Sequence, residues 1–165
     1  KETGGFTELV PLSFVHTDSP LYNNDPDTVR PGPTLDEVDL MHAVSRIMLH
    51  GWIDNIQVSW TKLGAERAQS ILGRGVNDFG GTLMNESISR AAGSKNGQEI
   101  TASEIVTMIR AAGRIPVRRN TLYEIKEIYK KHDPVAIEPL VERKGYDPLS
   151  FLEMFPEQSL NKGKL

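Results

Sequence analysis

Strand, helix and strand follow one another in a short central stretch, and this order constrains the fold more than any other feature. In residues 55–60, NIQVSW, apolar and polar side chains alternate with the period of two that is typical of a strand with two different faces. A helix is predicted from about Leu63 to Leu72, ended by Gly73 and Gly75, before a very short apolar stretch at Val76–Phe79. Such a tight unit favours parallel strands, and its repetition predicts an α/β fold, either a doubly wound sheet or a barrel of βα units.

An apolar segment near the amino terminus predicts a further strand. Phe6–Val15 mixes aromatic, β-branched and aliphatic residues after a glycine pair, which predicts a mostly buried strand that Pro11 interrupts or ends. The following segment, His16–Pro33, is rich in Asp, Asn and Pro and is longer than ordinary connections. It is predicted to be a functional or covering loop.

Capping boxes mark the starts of two helices. In residues 34–37, TLDE, and 101–104, TASE, a threonine hydroxyl can bond the amide three residues on while the glutamate reaches back. Gly51 is predicted to stop the first helix and Gly113 the second. The first helix carries five apolar residues on one stripe: Leu40, Met41, Val44, Ile47 and Met48.

Shorter elements fill the carboxyl-terminal half. Met84–Ala92 is predicted to be helical, Ile115–Arg119 extended, and Leu122–Lys131 an amphipathic helix. Three side chains of that last helix are predicted to point inward: Ile125, Ile128 and Tyr129. Residues 1–131 are expected to form one unit, and residues 132–165 an irregular tail with short helical turns.

Charge and cysteine content exclude several classes of function. With 19 basic against 22 acidic residues there is no basic excess for a nucleic-acid backbone. No apolar run is long enough to span a bilayer. The absence of cysteine excludes disulfides, thiolate zinc sites, cysteine nucleophiles and cysteine-held iron–sulfur clusters in this chain. The four histidines lack zinc-ligand spacing, so no metal site is expected, and an intracellular soluble location is expected with cytoplasm or organelle left open.

Polar residues along the central strand are the first candidates for a site, because reactive groups in parallel α/β folds lie at the carboxyl ends of strands. If Ile56 and Val58 face the surrounding helices, then Gln57 and Ser59 point to the opposite face, where a ligand could lie. The alternative is a polar layer inside a barrel, satisfied by its neighbours. The segment with His16 is a further candidate.

A second candidate follows the next strand. Asn77, Asp78, Asn85 and Glu86 bring amides and carboxylates beside Gly80-Gly81, where the backbone can approach a ligand closely. Such groups suit a polar, polyhydroxylated or amide-bearing substrate. The alternative is a turn whose Asp and Asn cap the next helix. Three arginines could bind an anion or form a solvated face: Arg114, Arg118 and Arg119.

Five ordered motifs together resemble one family. They are TGGFTELVPLSFVH, MHAVSR, NIQVSWTKLG, GVNDFGGTLMNESISRAAG and GRIPVRRNTLY, from about Thr3 to Tyr123. The sequence resembles the second subunit of FO synthase, the CofH-type radical S-adenosylmethionine enzymes of deazaflavin biosynthesis. Relatives in menaquinone biosynthesis share the scaffold, and the runs QVSW, NDFGGT and NES favour the deazaflavin branch.

The resemblance implies a (βα) barrel that joins the 4-hydroxybenzyl group of tyrosine to 5-amino-6-ribitylaminouracil. In the family, a four-iron four-sulfur cluster reduces S-adenosylmethionine to a radical that abstracts hydrogen from tyrosine. This chain lacks the family's cluster cysteines. It is therefore expected to be the carboxyl-terminal βα units of the barrel, without catalytic activity or a bound cofactor when alone.

This incomplete barrel predicts both a partner and a site. Phe6–Val15 is expected to pair with the missing half or with another chain. The expected substrate-side contacts are Gln57, Ser59, Asn77, Asp78 and Glu86, while no catalytic residue is identified. The alternative hypothesis is a non-catalytic structural subunit, derived from such a domain and retained in a larger complex.

Overall fold

Short parallel strands form the centre of the fold. In the computed structural model, which describes residues 4–83 and 86–130, β1 (Glu8–Leu9) pairs in parallel with β2 (Asn55–Ile56). A parallel bridge between Gln57 and Asp78 places a third segment on the other edge of β2. The predicted parallel pairing is confirmed. The described part of the chain is an α/β fold with short sheets, and its strands do not close into a barrel.

Helices connect and cover these strands. In chain order they are α1 (Pro20–Asn24), α2 (Leu35–Met48), α3 (Trp60–Leu63), α4 (Ala65–Ile71), α5 (Ser87–Ala91) and α6 (Ala102–Ala111). Both predicted capping boxes are formed, at Thr34 and at Thr101. The single helix predicted from Leu63 to Leu72 is divided at Gly64, whose φ of +85° interrupts it, and ends in a 3₁₀ turn at Leu72–Arg74.

The core lies between the parallel strands and the helices. Ile56 and Val58 have no exposed surface, which confirms that they face the helix layer. Other buried apolar side chains pack with them: Val38, Trp60, Ala68, Ile71, Leu72, Val76, Phe79, Ile100 and Ile105. Two polar contacts hold α2 beside the next unit, the ion pair of Arg67 with Asp39 and the Arg46 Nε bond to the Gly75 carbonyl.

The predicted helix at Leu122–Lys131 is wrong. β3 (Val117–Arg119) and β4 (Ile125–Ile128) form an antiparallel hairpin, and Ile125 and Ile128 are more than half exposed. A turn at Asn120 favours the hairpin over a helix. Asn120 Oδ1 accepts hydrogen bonds from the amides of Leu122 and Glu124, and these bonds stabilise the reversal of the chain. The extended segment predicted at Ile115–Arg119 is confirmed by β3.

The amino-terminal segment is less buried than predicted. Only Glu8–Leu9 of Phe6–Val15 is a strand, and Phe6 is 77% exposed. The apolar stripe of α2 is also exposed, with Ile47 at 75%. The described residues do not bury these two surfaces.

Some predictions lie outside or at the margin of the described residues. The tail at 132–165 is outside them, as are Met84 and Asn85. The loop at His16–Pro33 contains the short helix α1. None of the helices in the described ranges combines the length and apolarity that crossing a bilayer requires.

Candidate functional site

The register of the parallel strands divides their side chains between two faces. On one face, three side chains are buried towards the helices: Ile56, Val58 and Phe79. Gln57 and Asp78 alternate with them along the two segments. Gln57 and Asp78 therefore lie on the opposite face of the sheet, which we call the inner face. Glu8 pairs with Asn55, two positions before Gln57, and therefore shares that face.

One arginine from β3 connects the polar groups of this inner face. Arg119 Nε donates to Asp78 Oδ2 at 2.5 Å, and a terminal nitrogen lies 3.5 Å from Gln57 Oε1 and 3.9 Å from Glu8 Oε2. The guanidinium carbon lies 4.1 Å from the centroid of the Tyr123 ring, whose hydroxyl donates to Glu8. We call Glu8, Gln57, Asp78, Arg119 and Tyr123 the arginine cluster.

The positive charge in the arginine cluster is paired with carboxylates. Burial lowers the pKa of Arg119, but the hydrogen bond and negative charge of Asp78 outweigh burial and raise it above the ordinary value. Burial and the hydrogen bond to Glu8 raise the pKa of the Tyr123 phenol. The guanidinium thus stays charged and the phenol protonated, and the two carboxylates exceed the one arginine by one negative charge. The cluster can present hydrogen-bonding groups, but it has no unpaired positive charge.

Backbone constraints position two members of the cluster. Tyr123 has a φ of +62°, which is uncommon for a bulky residue and brings its ring under Arg119. Asp78 Oδ1 accepts the Gly80 amide at 2.7 Å. Gly80 has a φ of +84°, and a Cβ there would lie 3.2 Å from Gln57 Nε2, so this position favours glycine.

The five predicted site residues do not gather at one place. Gln57 and Asp78 lie in the arginine cluster. Ser59 is buried, and its hydroxyl lies 3.0 Å from that of Thr61. Asn77 contacts Arg46 of α2 and is not part of the arginine cluster.

Structural contacts use the polar atoms of Asn77 and Glu86. Asn77 Oδ1 accepts from the Ile56 amide at 2.9 Å and from Arg46 at 2.7 Å. Glu86 is the N-cap of α5, where its carboxylate accepts the Ser89 amide at 2.8 Å. For Glu86 the geometry matches the alternative reading, a side chain that caps the next helix.

Sequence reasoning missed Glu8 and Tyr123. Glu8 could have been found from the alternation of side chains along β1, because that alternation fixes the face of Glu8 once β1 is paired with β2. Tyr123 had no usable signal, because its position depends on the hairpin and on a positive φ. Arg119 was noted as an anion-binding candidate, but its neighbours are carboxylates.

A second cation lies at the carboxyl ends of the parallel strands. Lys62, in α3 directly after β2, is half-buried, and its Nζ donates to the hydroxyl of Ser89. Ser89 is 1% exposed. The Lys62 carbonyl accepts from Asn96 Nδ2 at 3.2 Å, which ties α3 to the loop after α5.

The residues of this chain do not fit an iron–sulfur cluster. The sequence contains no cysteine, the residue whose thiolates hold such clusters. Between residues 4 and 130, leaving out 84 and 85, no three His, Asp or Glu side chains group in a way that could hold a metal ion. No chemical step through a cluster is therefore derived for this chain.

Known proteins match most of the sequence. The family model described as the CofH/MqnC C-terminal region matches residues 3–132. The chain is 52% identical over 124 residues to the FO synthase of Mycobacterium leprae, an alignment covering 75% of this chain and 14% of that protein. It is 50% identical over 129 residues to the 5-amino-6-(D-ribitylamino)uracil–L-tyrosine 4-hydroxyphenyl transferase of Methanopyrus kandleri, covering 78% of this chain and 34% of that protein.

A similar match is found in Methanosarcina barkeri, where the 5-amino-6-(D-ribitylamino)uracil–L-tyrosine 4-hydroxyphenyl transferase 1 is 47% identical over 137 residues. The chain thus spans 14% to 35% of the length of these curated relatives. The resemblance inferred from the motifs is confirmed. Since the family model covers more than half of the sequence, the chain belongs to the CofH/MqnC C-terminal region family.

Proposed function

We propose that this chain is the carboxyl-terminal, substrate-side part of a radical S-adenosylmethionine transferase barrel in deazaflavin biosynthesis. The complete enzyme would join the 4-hydroxybenzyl group of tyrosine to 5-amino-6-ribitylaminouracil. The names of the relatives from Methanopyrus kandleri and Methanosarcina barkeri support this substrate pair. The observation that carries the proposal is an open βα unit with a polar inner face.

The open side of the first βα unit supports a barrel that continues beyond β1. One edge of β1 pairs with β2, and one side of α2 contacts the following unit through Asp39 and Arg46. The other side of α2 is apolar and 45% to 75% exposed, at Leu40, Met41, Val44, Ile47 and Met48. We call these five residues the α2 stripe. Among the described residues, no strand pairs with the other edge of β1.

A groove continues this open surface. It measures about 560 Å³, and its lining includes Phe6, Met48 and Trp52, each more than 60% exposed. In a ring of βα units, each strand pairs with the strand before it and each helix packs on the helix before it. We therefore propose one occupant, the preceding βα unit of the same barrel, with its strand on β1 and an apolar helix on the α2 stripe.

Substrate contacts are proposed for the inner face. Gln57 and Asp78 offer amide and carboxylate groups there, and Ser59 follows two positions after Gln57, at the start of α3. These groups suit the hydroxyls and ring nitrogens of a ribitylaminouracil. Asn77 and Glu86 were predicted in the same role, but their polar atoms hold the Ile56 amide and the start of α5, so the proposal leaves them out.

The cluster and S-adenosylmethionine belong, in this proposal, to the polypeptide that supplies the cysteines. When bound there, they would provide the radical that begins the reaction. This chain would contribute binding and orientation of substrate through its inner face. One observation favours the alternative of a non-catalytic subunit in a larger complex: the chain has no cysteine of its own.

Reconstitution tests the two functions against each other. The chain should bind the cysteine-containing portion of a homologous transferase, and the pair should consume tyrosine and ribitylaminouracil under reducing conditions. Asp78→Asn should lower that turnover. A stable pair that binds iron but consumes no tyrosine would refute the enzymatic proposal and favour the structural one.

A substitution in the α2 stripe tests whether the preceding βα unit packs on this surface. Ile47→Glu should abolish pairing, because it places a charge in a surface that becomes buried. Ile115→Glu is the matched control, since Ile115 is 72% exposed against 75% for Ile47 and lies outside the stripe. Equal pairing by both variants would show that the stripe is not the docking surface.

A further inference from the structure

Lys62 and Arg119 have different kinds of side-chain partner. Its described side-chain partner is the neutral hydroxyl of Ser89, and within residues 4–83 and 86–130 no carboxylate lies within 4.0 Å of its Nζ. Arg119, in contrast, has Asp78 and Glu8 as partners. Burying a positive charge costs free energy unless a negative charge pairs with it, and an anionic ligand would supply that negative charge.

Ser89 holds the ammonium in place. Ser89 is buried, its amide donates to Glu86 and its carbonyl accepts from the Ser94 amide at 2.9 Å. An ammonium has three N–H donors, and the serine hydroxyl uses one. The remaining two can reach the two oxygens of one carboxylate.

The position of Lys62 agrees with a ligand-binding role. It lies directly after β2, at the carboxyl end where ligands bind in parallel α/β folds. Asn96, from the loop after α5, bonds its backbone carbonyl, so that loop limits the movement of α3. Lys62 is therefore held near the carboxyl ends of the strands.

We propose that Lys62 binds the carboxylate of the amino-acid substrate. This inference rests on the proposed function, in which the two substrates are tyrosine and a ribitylaminouracil. Of these, tyrosine alone carries a carboxylate. The arginine cluster is then left to the neutral, hydrogen-bonding substrate, because its one positive charge is already paired with two carboxylates. S-adenosylmethionine also carries an amino-acid carboxylate, so the experiment must separate the two ligands.

Binding measurements on the reconstituted pair test this assignment. Calorimetry with L-tyrosine and with tyramine, which lacks the carboxylate, should show tighter binding of tyrosine. Lys62→Met should weaken tyrosine binding by roughly 10- to 100-fold, the loss expected for one charge-assisted bond, and leave tyramine binding unchanged. Lys62→Arg should restore part of the affinity. Lys126→Met is the control, since Lys126 is exposed and paired with Glu124.

The outcomes separate the assignment from the function on which it rests. Equal losses for tyrosine and tyramine in Lys62→Met would indicate a structural role and overturn the assignment. Unchanged tyrosine binding would also overturn it, as would a loss confined to S-adenosylmethionine. If the unsubstituted pair binds no tyrosine at all, the proposed function itself is refuted.

Discussion

Removing the charge of Arg119 should destabilise the chain through the groups that it leaves behind. In Arg119→Gln, the carboxylate of Asp78, whose side chain is 10% exposed, loses its charged partner. Glu8 loses a cation at 3.9 Å, and the Tyr123 ring loses the guanidinium above it. The substitution therefore tests whether the inner face is held together by this one side chain.

The magnitude follows from the burial of the pair. Removing one partner of a fully buried ion pair costs about 3–5 kcal/mol. Here Arg119 is 26% exposed, and Asp78 keeps the Gly80 amide at 2.7 Å, so we expect a loss of about 2 kcal/mol. With a urea dependence of about 1–3 kcal/mol per molar, the unfolding midpoint should fall by about 1 M.

A double-mutant cycle in urea isolates the interaction. Asp78→Asn and Arg119→Gln are measured singly and together, and the double variant should lose clearly less than the sum of the single losses. Arg118→Gln is the control, because the Arg118–Glu127 pair is exposed and should contribute less than about 1 kcal/mol. Additive losses within about 0.5 kcal/mol would refute the coupling of Asp78 with Arg119.

Three further predictions concern single positions. Hydrogen bonds from Thr101 lower the pKa of Glu104 below 4.5, so its contribution to stability is present above that pH and is lost as pH falls through the folded pKa. Thermal melts of Glu104→Gln should thus differ most from the parent near neutral pH. Gly75→Ala should lower the unfolding free energy by about 2 kcal/mol or more, because φ is +93° and the new methyl would lie 2.6 Å from a side-chain carbon of α2; Gly73→Ala, with no atom within 4 Å, should have little effect. The raised pKa of Tyr123 contributes stability below pH 10.0 that is lost as pH rises, so Tyr123→Phe should lose less stability than the parent between neutral and strongly alkaline pH.

Local signals predicted much of the secondary structure. The capping boxes at Thr34 and Thr101 depend on residues three positions apart, and both helices begin where they indicate. The alternation at residues 55–60 gave the correct face for Ile56 and Val58. These features depend on the sequence immediately around them, so a single chain is enough to find them.

Features that depend on distant partners were predicted less well. Leu122, Ile125 and Ile128 recur at helical spacing, yet pairing with β3 and the Asn120 turn make this segment a strand. Phe6 and the α2 stripe show apolar patterns typical of buried surfaces, but the described residues contain nothing that covers them. The arginine cluster joins residues more than a hundred positions apart, from Glu8 to Tyr123, which no local spacing reveals.

Hydrogen–deuterium exchange at β1 tests the central claim most directly. The Leu9 carbonyl accepts the Gln57 amide, so the alternating amides of Glu8 and Val10 face the open edge of the sheet. In the chain alone, these two amides should exchange rapidly, and they should become strongly protected when the cysteine-containing portion of a homologous transferase is added. Unchanged exchange in a complex of the two polypeptides would contradict the account, because a barrel strand would then not pair with β1.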